Sequence, residues 1–248
     1  MSLPFEQDGG AGANARCGLI VLQNDETMEP ELAPLFGGPG IAPYHSRIPS
    51  ALAVTPETLM TMKAELPAVA RLLPAATPLN VVGYGCTSGA TIIGQSTVSD
   101  LIRQCHPTAL TTDPITAVVA ATARLNLRRI GFITPYVAEV STAMRELLQS
   151  HGLEITAFAS FAQAEEATVA RITERSLLDA ICRMAAESPG SEAIFVSCTN
   201  LRSFRIIAEA ERLTGKPVLS SNLVLGWHML ELAGARAPDG TPGMLFDQ

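Results

Sequence analysis

The stretch Gly83-Tyr84-Gly85-Cys86-Thr87-Ser88-Gly89-Ala90 follows an apolar run, Leu79 to Val82, and precedes a predicted helix, Thr91 to Gln104. A cysteine is therefore expected where a strand ends and a helix begins. The unpaired N–H groups and partial positive charge of a helix N-terminus favour a thiolate. A cysteine whose pKa is lowered in this way is a nucleophile or a proton carrier. We therefore predict a reactive thiol at Cys86, in a sharp turn that the glycines permit.

A second copy of this pattern occurs later in the chain. The apolar run Ala193 to Ser197 leads to Cys198-Thr199-Asn200 and then to another predicted helix. The similarity extends backwards, because Gly18 precedes Cys86 by 68 positions. Gly131 precedes the second cysteine by 67 positions. A repeat of this length predicts two related domains, each presenting one cysteine, and not a solenoid.

Composition limits the classes of protein to which the chain can belong. It has 248 residues, is 47% hydrophobic and carries a net charge of −7 without a basic run. These values indicate a compact fold and argue against nucleic acid or an anionic membrane as a partner. No apolar stretch approaches the roughly 20 residues of a membrane span, and the N-terminus lacks the pattern of a signal peptide. The five cysteines form no CxxC pair, which favours a reduced cytoplasm over a disulfide framework.

The sequence predicts neither a metal nor a cofactor. The four histidines are scattered and show no metal-ligand spacing with cysteine. No GxGxxG or P-loop pattern follows a predicted strand. The expected partner is therefore a small molecule bound by side chains of the chain itself.

Predicted strands alternate with helices throughout, which is typical of parallel sheets covered by helices. The expected fold is α/β, with two similar parallel-sheet domains related by a pseudo-two-fold axis. We assign 16–112 and 221–248 to the first domain and 113–220 to the second. Ligands of such folds bind at the carboxyl ends of the strands. Asp25, Tyr136 and the two cysteines all follow predicted strands, which predicts an active site in the cleft between the domains.

Two opposed thiols suit the inversion of a stereocentre next to a carboxylate. One thiolate removes a proton from carbon while the opposite thiol returns one, so no cofactor is needed. Backbone N–H groups and side chains beside the cysteines can stabilise the developing charge on the carboxylate oxygens. The same pair could instead add covalently to an alkene and then eliminate. The predicted groups beside the cysteines are Thr87, Ser88, Thr199 and Asn200.

The two motifs, Gly-Cys-Thr-Ser-Gly and Ser-Cys-Thr-Asn, resemble those of the aspartate/glutamate racemase superfamily. That superfamily includes hydantoin racemases, arylmalonate decarboxylase and maleate cis-trans isomerase. The maleate isomerase branch is the most similar, through Thr27-Met28-Glu29 and Thr134-Pro135-Tyr136. The resemblance implies Cys86 and Cys198 as the catalytic pair, Tyr136 as a donor to a substrate carboxylate, and a homo-oligomer. Arylmalonate decarboxylase keeps only the second cysteine, so the presence of both argues against that reaction.

Two acidic residues depart from the maleate isomerase pattern. Asp25 and, by an approximate alignment, Glu166 stand where that branch has asparagines. An amide can donate a hydrogen bond to a carboxylate, whereas an ionised carboxylate only accepts. We therefore hypothesise a substrate with a cationic or N–H group, such as an amino acid or an N-acyl diamino acid. The segment Leu22 to Thr27 is also similar to racemase-like proteins of ectoine catabolism.

The same residues allow other interpretations. The polar residues after each cysteine are also good helix caps, and Asp25 could cap the turn that leads to Glu29. Glu166, taken alone, is typical of a solvated surface charge. For the whole chain, the alternatives are a maleate cis-trans isomerase and a non-catalytic protein that binds small molecules in the same cleft. The remaining cysteines are expected in the core: Cys17, Cys105 and Cys182.

Overall fold

The computed structural model describes residues 1–247, in which strands and helices alternate along the chain. Gln248, which the first predicted domain includes, lies outside the described residues. The first half contains four strands and the helices that connect them. They are β1 Ala15–Leu22, α1 Met28–Leu32, β2 Ile41–Ile48, α2 Pro56–Ala70, β3 Val81–Gly85, α3 Thr87–Ile93, α4 Gln95–Arg103, β4 Leu110–Thr112 and α5 Pro114–Arg124.

The second half repeats the alternation. It contains β5 Arg129–Tyr136, α6 Ala138–Ser150, β6 Glu154–Gln163, α7 Glu166–Val169, α8 Glu174–Glu187, β7 Ala193–Val196, α9 Ile207–Thr214, β8 Val218–Ser220 and α10 Ser221–Ala233. Two 3₁₀ turns, Phe204–Ile206 and Met244–Phe246, complete the described elements.

The strand order is the same in both halves. The first sheet runs β2-β1-β3-β4 and the second runs β6-β5-β7-β8, and the paired strands are parallel. In both sheets, the strand that precedes a cysteine lies next to the first strand of its half. The prediction of an α/β fold with two similar parallel-sheet halves is therefore confirmed.

The central strands are buried because helices cover the sheets. β1 is buried along almost its whole length, and its residues 17–22 form a continuous apolar run, as expected for a strand inside a parallel sheet. The last helix, α10, packs on β1 and β3 of the first sheet and on α5. It thus crosses from the end of the second sheet to the first. The limits of the two domains stay a prediction.

The predicted helix Thr91 to Gln104 is two helices. α3 begins directly after Cys86, and Gly94 separates it from α4 with φ of +93°. A positive φ of this kind interrupts the helical backbone and is readily adopted only by glycine. The earlier start matters for the site, since it places Thr87 and Ser88 in the first turn of a helix. Over residues 1–247, none of the helices has both the length and the apolar character that a membrane crossing needs.

Candidate active site

Cys86 is the N-cap residue of α3 and follows β3 directly. Its backbone is extended, with φ of −148° and ψ of 110°. The sulfur accepts a hydrogen bond from the N–H of Gly89 at 3.1 Å, and the hydroxyl of Ser88 lies 3.5 Å away. The predicted position of Cys86 at a strand–helix junction is thus confirmed.

Gly89 is required by the close packing around this sulfur. A Cβ atom at position 89 would lie 2.9 Å from the sulfur of Cys86 and 2.5 Å from the hydroxyl oxygen of Tyr84. Both distances are too short for non-bonded carbon contacts, so any side chain would displace the thiol or the phenol. The glycine at this place in the motif therefore allows the helix to approach the thiol closely.

Cys198 has a different local structure. It follows β7 after one intervening residue, and its φ is +122°, in a region that L-residues rarely adopt. The N–H of Asn200 donates to its sulfur at 3.3 Å. The helix predicted after Cys198-Thr199-Asn200 is present but begins later than expected, since a 3₁₀ turn, Phe204–Ile206, leads into α9, Ile207–Thr214. The intervening loop is held by Glu31, whose carboxylate accepts the N–H of Phe204 at 2.8 Å.

The structure brings the two cysteines to one site around Tyr136. Burial raises the pKa of Tyr136 well above its ordinary value, and the charges of Cys198, Glu166 and Cys86 add to the rise. The carboxylates of Asp25 and Glu166 in turn act electrostatically on both thiols. One contact joins the two loops directly, because the hydroxyl of Ser221 accepts the N–H of Cys198 and lies 2.8 Å from that of Thr87. The two cysteines, which follow strands of different sheets, are therefore brought together.

Both thiols are neutral in this closed structure. Burial raises the pKa of Cys86 to about 12, and the hydrogen bonds from Ser88 and Gly89 oppose this shift only in part. Burial also raises the pKa of Cys198 well above its ordinary value, and the charge of Glu166 adds to the rise. The expectation of a lowered thiol pKa at Cys86 is therefore wrong here, because desolvation outweighs the stabilisation by the helix N-terminus.

Asp25 has both carboxylate oxygens occupied within the protein. Oδ1 accepts the N–H groups of Thr27 and Met28, each at 2.8 Å, and so caps the start of α1. Oδ2 accepts the hydroxyl of Thr199 at 2.7 Å. Burial raises the pKa of this carboxyl, while the three hydrogen bonds lower it. Asp25 thus connects the first half of the chain to the residue that follows Cys198.

Asn200 is also held from several sides. Its Oδ1 accepts the N–H of Glu26 at 3.0 Å, and its carbonyl accepts the hydroxyl of Thr27 at 3.1 Å. Its Nδ2 donates to Oε2 of Glu166 at 2.9 Å. Burial raises the pKa of Glu166 to about 7, the bond from Asn200 lowers it, and the charge of Asp25 raises it. Glu166 is therefore a buried carboxyl, and not a solvated surface charge.

The site is closed by contacts between the two halves. Leu52 and Val54, in the loop between β2 and α2, exchange backbone hydrogen bonds with residues 164–166. An exposed ion pair between Arg171 and Glu26 spans the same seam at 2.9 Å. Beneath this seam Cys86 is 3% exposed and Cys198 is 4% exposed. Because both sulfurs are buried, part of the surrounding structure must open before a substrate can reach them.

Sequence reasoning missed three residues that organise the site, two of them buried and one half-buried. Ser221 and Asn222 lie at the start of α10, and Glu31 lies in α1. Asn222 donates to the carbonyl of Thr199 and to Glu31, both at 2.8 Å. Their position in the sequence could have revealed Ser221 and Asn222, because both follow β8 at the carboxyl edge of the second sheet. In the part of the chain described, 1–247, no three metal-binding side chains come together.

Comparison with known proteins identifies the family. The family model described as arylmalonate decarboxylase matches residues 18–246. The chain belongs to this family. Arylmalonate decarboxylase from Bordetella bronchiseptica is 33% identical over 135 residues, which is 54% of this chain and 56% of that protein. Maleate isomerase from Pseudomonas putida is 24% identical over 229 residues, which is 87% of this chain and 90% of that protein.

A solved structure supports the same fold. A cysteine-to-serine variant of Nocardia farcinica maleate cis-trans isomerase, with a covalently bound succinylcysteine intermediate, has a TM-score of 0.83 and 21% identity. The match covers 94% of this chain and 98% of that one. The predicted branch of the aspartate/glutamate racemase superfamily is thus confirmed. The prediction that the chain belongs to a family of enzymes that includes isomerases is also confirmed. The role of each site residue of this chain stays a prediction.

Proposed function

We propose that the chain is a cofactor-independent racemase or isomerase of a small carboxylic acid that carries a cationic or N–H group. Amino acids and N-acyl diamino acids have this character. The observation that carries the proposal is the buried carboxyl of Glu166, which acts electrostatically on both Cys86 and Cys198. The similarity of residues 22–27 to proteins of ectoine catabolism supports the same class of substrate.

The chemistry assigned to the two sulfurs is proton transfer on opposite faces of one carbon. One thiolate removes the proton next to the substrate carboxylate, and the opposite thiol delivers a proton to the other face. Because burial keeps both thiols neutral, one of them must release its proton to solvent before it can act as the base. A substrate ammonium group favours that loss, since a nearby positive charge stabilises a thiolate.

The carboxylate of the substrate requires hydrogen-bond donors. The backbone N–H groups of Thr87 and Ser88, in the first turn of α3, and the phenol of Tyr136 are suited to that task. The side chains of Thr199 and Asn200 are less suited, since their polar atoms already bind Asp25, Glu26 and Glu166. We therefore assign these two residues to building the site and not to direct contact with the substrate.

Charge favours an N–H or ammonium group opposite the carboxylate. Asp25 and Glu166 are both buried acids, and the charge of one raises the pKa of the other. A second substrate carboxylate here would add a third acid to a poorly solvated region, which is unfavourable. An ammonium or amide N–H can instead donate to the second oxygen of Glu166, because its Oε2 is the atom that Asn200 binds.

Maleate cis-trans isomerisation is the second candidate. It is favoured by the similarity to maleate isomerase over most of both chains and by the presence of both cysteines. In that reaction one thiolate adds to the alkene, a carbon–carbon bond rotates, and elimination restores the thiolate and the isomerised product. The buried carboxyls of Asp25 and Glu166 argue against maleate as the substrate, because maleate would bring a second carboxylate next to them.

The test is turnover in D₂O of a substrate panel containing amino acids, N-acetyl diamino acids and maleate, followed by proton NMR. The proposal expects deuterium at the carbon next to the carboxylate of one nitrogen-containing acid, with loss of its optical activity. Conversion of maleate to fumarate with no exchange in the nitrogen-containing acids would overturn the proposal in favour of the second candidate. Glu166→Gln should reduce turnover of the nitrogen-containing acid more than Glu165→Gln, its exposed neighbour.

A further inference from the structure

One buried hydroxyl, that of Ser221, contacts the loops of both cysteines. Its Oγ accepts the N–H of Cys198 at 3.0 Å and lies 2.8 Å from Oγ1 of Thr87. Ser221 is fully buried in the first turn of α10. We propose that Ser221 is a positioning residue that ties the two cysteine loops together, so that both thiols address the same bound molecule.

The backbone of Cys198 explains why such a tie is needed. Its positive φ is costly for a residue with a side chain, and such conformations persist only where the surroundings impose them. The N–H of Cys198 is buried and has Ser221 as its acceptor. Removing that acceptor would leave a buried donor unpaired next to a strained peptide. The loop would then move toward a relaxed conformation and carry the sulfur with it.

The other anchors of this loop bind the residues that follow Cys198, beginning with the hydroxyl of Thr199, which donates to Asp25. Asn222 binds the carbonyl of Thr199, and Glu31 accepts the N–H of Phe204. These contacts hold the loop to α1 and α10. The hydroxyl of Ser221 instead bonds both to the peptide N–H of Cys198 and to Thr87, the residue that directly follows Cys86. It is therefore suited to fix the relative position of the thiols.

The same hydroxyl orients the proton of Thr87. A hydroxyl carries one proton and can accept two hydrogen bonds. Ser221 accepts from Cys198, so its own O–H is free to donate to Oγ1 of Thr87. The proton of Thr87 is then left to donate toward the cleft, where a substrate carboxylate would accept it. This last step rests on the proposed function, whereas the tie between the loops does not.

The test is site-resolved alkylation of the folded full-length protein with iodoacetamide, read by peptide mass spectrometry. A buried thiol reacts from locally opened states, so its rate reports their population. Ser221→Ala should raise the rate at Cys198 about tenfold, as expected for the loss of one buried hydrogen bond. Cys17, in the core strand β1, serves as an internal reference for global unfolding, and its rate should rise by a similar factor because the unfolded chain also lacks this hydrogen bond.

Two further variants make the test decisive. Ser220→Ala removes a buried hydroxyl that caps α10 by accepting the N–H of Leu223. It should raise the Cys17 rate and leave the Cys198 rate unchanged, because opening of the Cys198 loop does not break that cap. Thr87→Val lies on the opposite loop and should nevertheless raise the Cys198 rate severalfold. It also tests the proposal if Ser221→Ala does not fold.

An unchanged Cys198 rate in Thr87→Val would overturn the proposal, as would an acceleration of Cys198 in Ser220→Ala equal to that in Ser221→Ala. No substrate is used in this experiment, so its failure is distinct from failure of the proposed function.

Discussion

Replacing Glu166 with glutamine should change how the stability of the protein depends on pH. Burial raises the pKa of this carboxyl from 4.5 to about 7 in the folded protein. Below about pH 4.5 the carboxyl is protonated in both folded and unfolded chains. Between about pH 4.5 and 7 the unfolded chain releases the proton while the folded chain keeps it, so the free energy of unfolding falls as pH rises. Above about pH 7 the carboxyl is ionised in the folded chain as well, so the free energy of unfolding falls no further.

The size of the effect follows from the shift. A change from 4.5 to about 7 corresponds to an upper limit of roughly 3 kcal/mol. Glutamine has nearly the same shape, and its carbonyl can accept the hydrogen bond from Asn200. Glu166→Gln should therefore remove the contribution of this carboxyl to the pH dependence of stability, without leaving a cavity.

Urea unfolding of the wild type and the variant at about pH 5, 6, 7 and 8 checks this expectation. The variant should gain stability relative to the wild type as pH rises, by up to about 3 kcal/mol. Glu165→Gln is the matched control, because the adjacent carboxylate is exposed. A difference between wild type and Glu166→Gln that stays constant over this range would refute the reasoning.

Three further predictions concern the thiol motif, the closing seam and the chemistry. Gly89→Ala should lower the thermal unfolding midpoint, because the added Cβ would lie too close to the Tyr84 hydroxyl and the Cys86 sulfur. Gly190→Ala is the control and should not lower it, since nothing lies within 4 Å of a Cβ there. Equal midpoints would contradict the packing argument. Arg171→Ala removes the exposed ion pair with Glu26. Because such a pair contributes little to stability, the variant should accelerate alkylation of both active-site thiols by a few fold at most; unchanged labelling would show that the seam opens elsewhere. Cys198→Ser should lower turnover by about 10² to 10⁴, measured on whichever acid the panel identifies, and near-normal turnover would exclude proton transfer at this sulfur.

Much of the fold follows from short-range patterns in the sequence. Continuous apolar runs before Cys86 and Cys198 indicated buried parallel strands, and the structure contains β3 and β7 there. The repeated spacing indicated two similar halves, which the shared strand order confirms. These inferences succeed because a strand in a parallel sheet is buried on both faces and needs apolar side chains throughout.

The sequence by itself therefore determined the two-sheet architecture and placed a cysteine at one strand end in each half. The tertiary structure decided the protonation of the thiols and the partners of the polar residues. Desolvation depends on every atom that packs around a sulfur, and no local pattern encodes that environment. The Ser221–Thr87 bond joins residues 134 positions apart, so only the folding of α10 onto the first sheet brings these hydroxyls together.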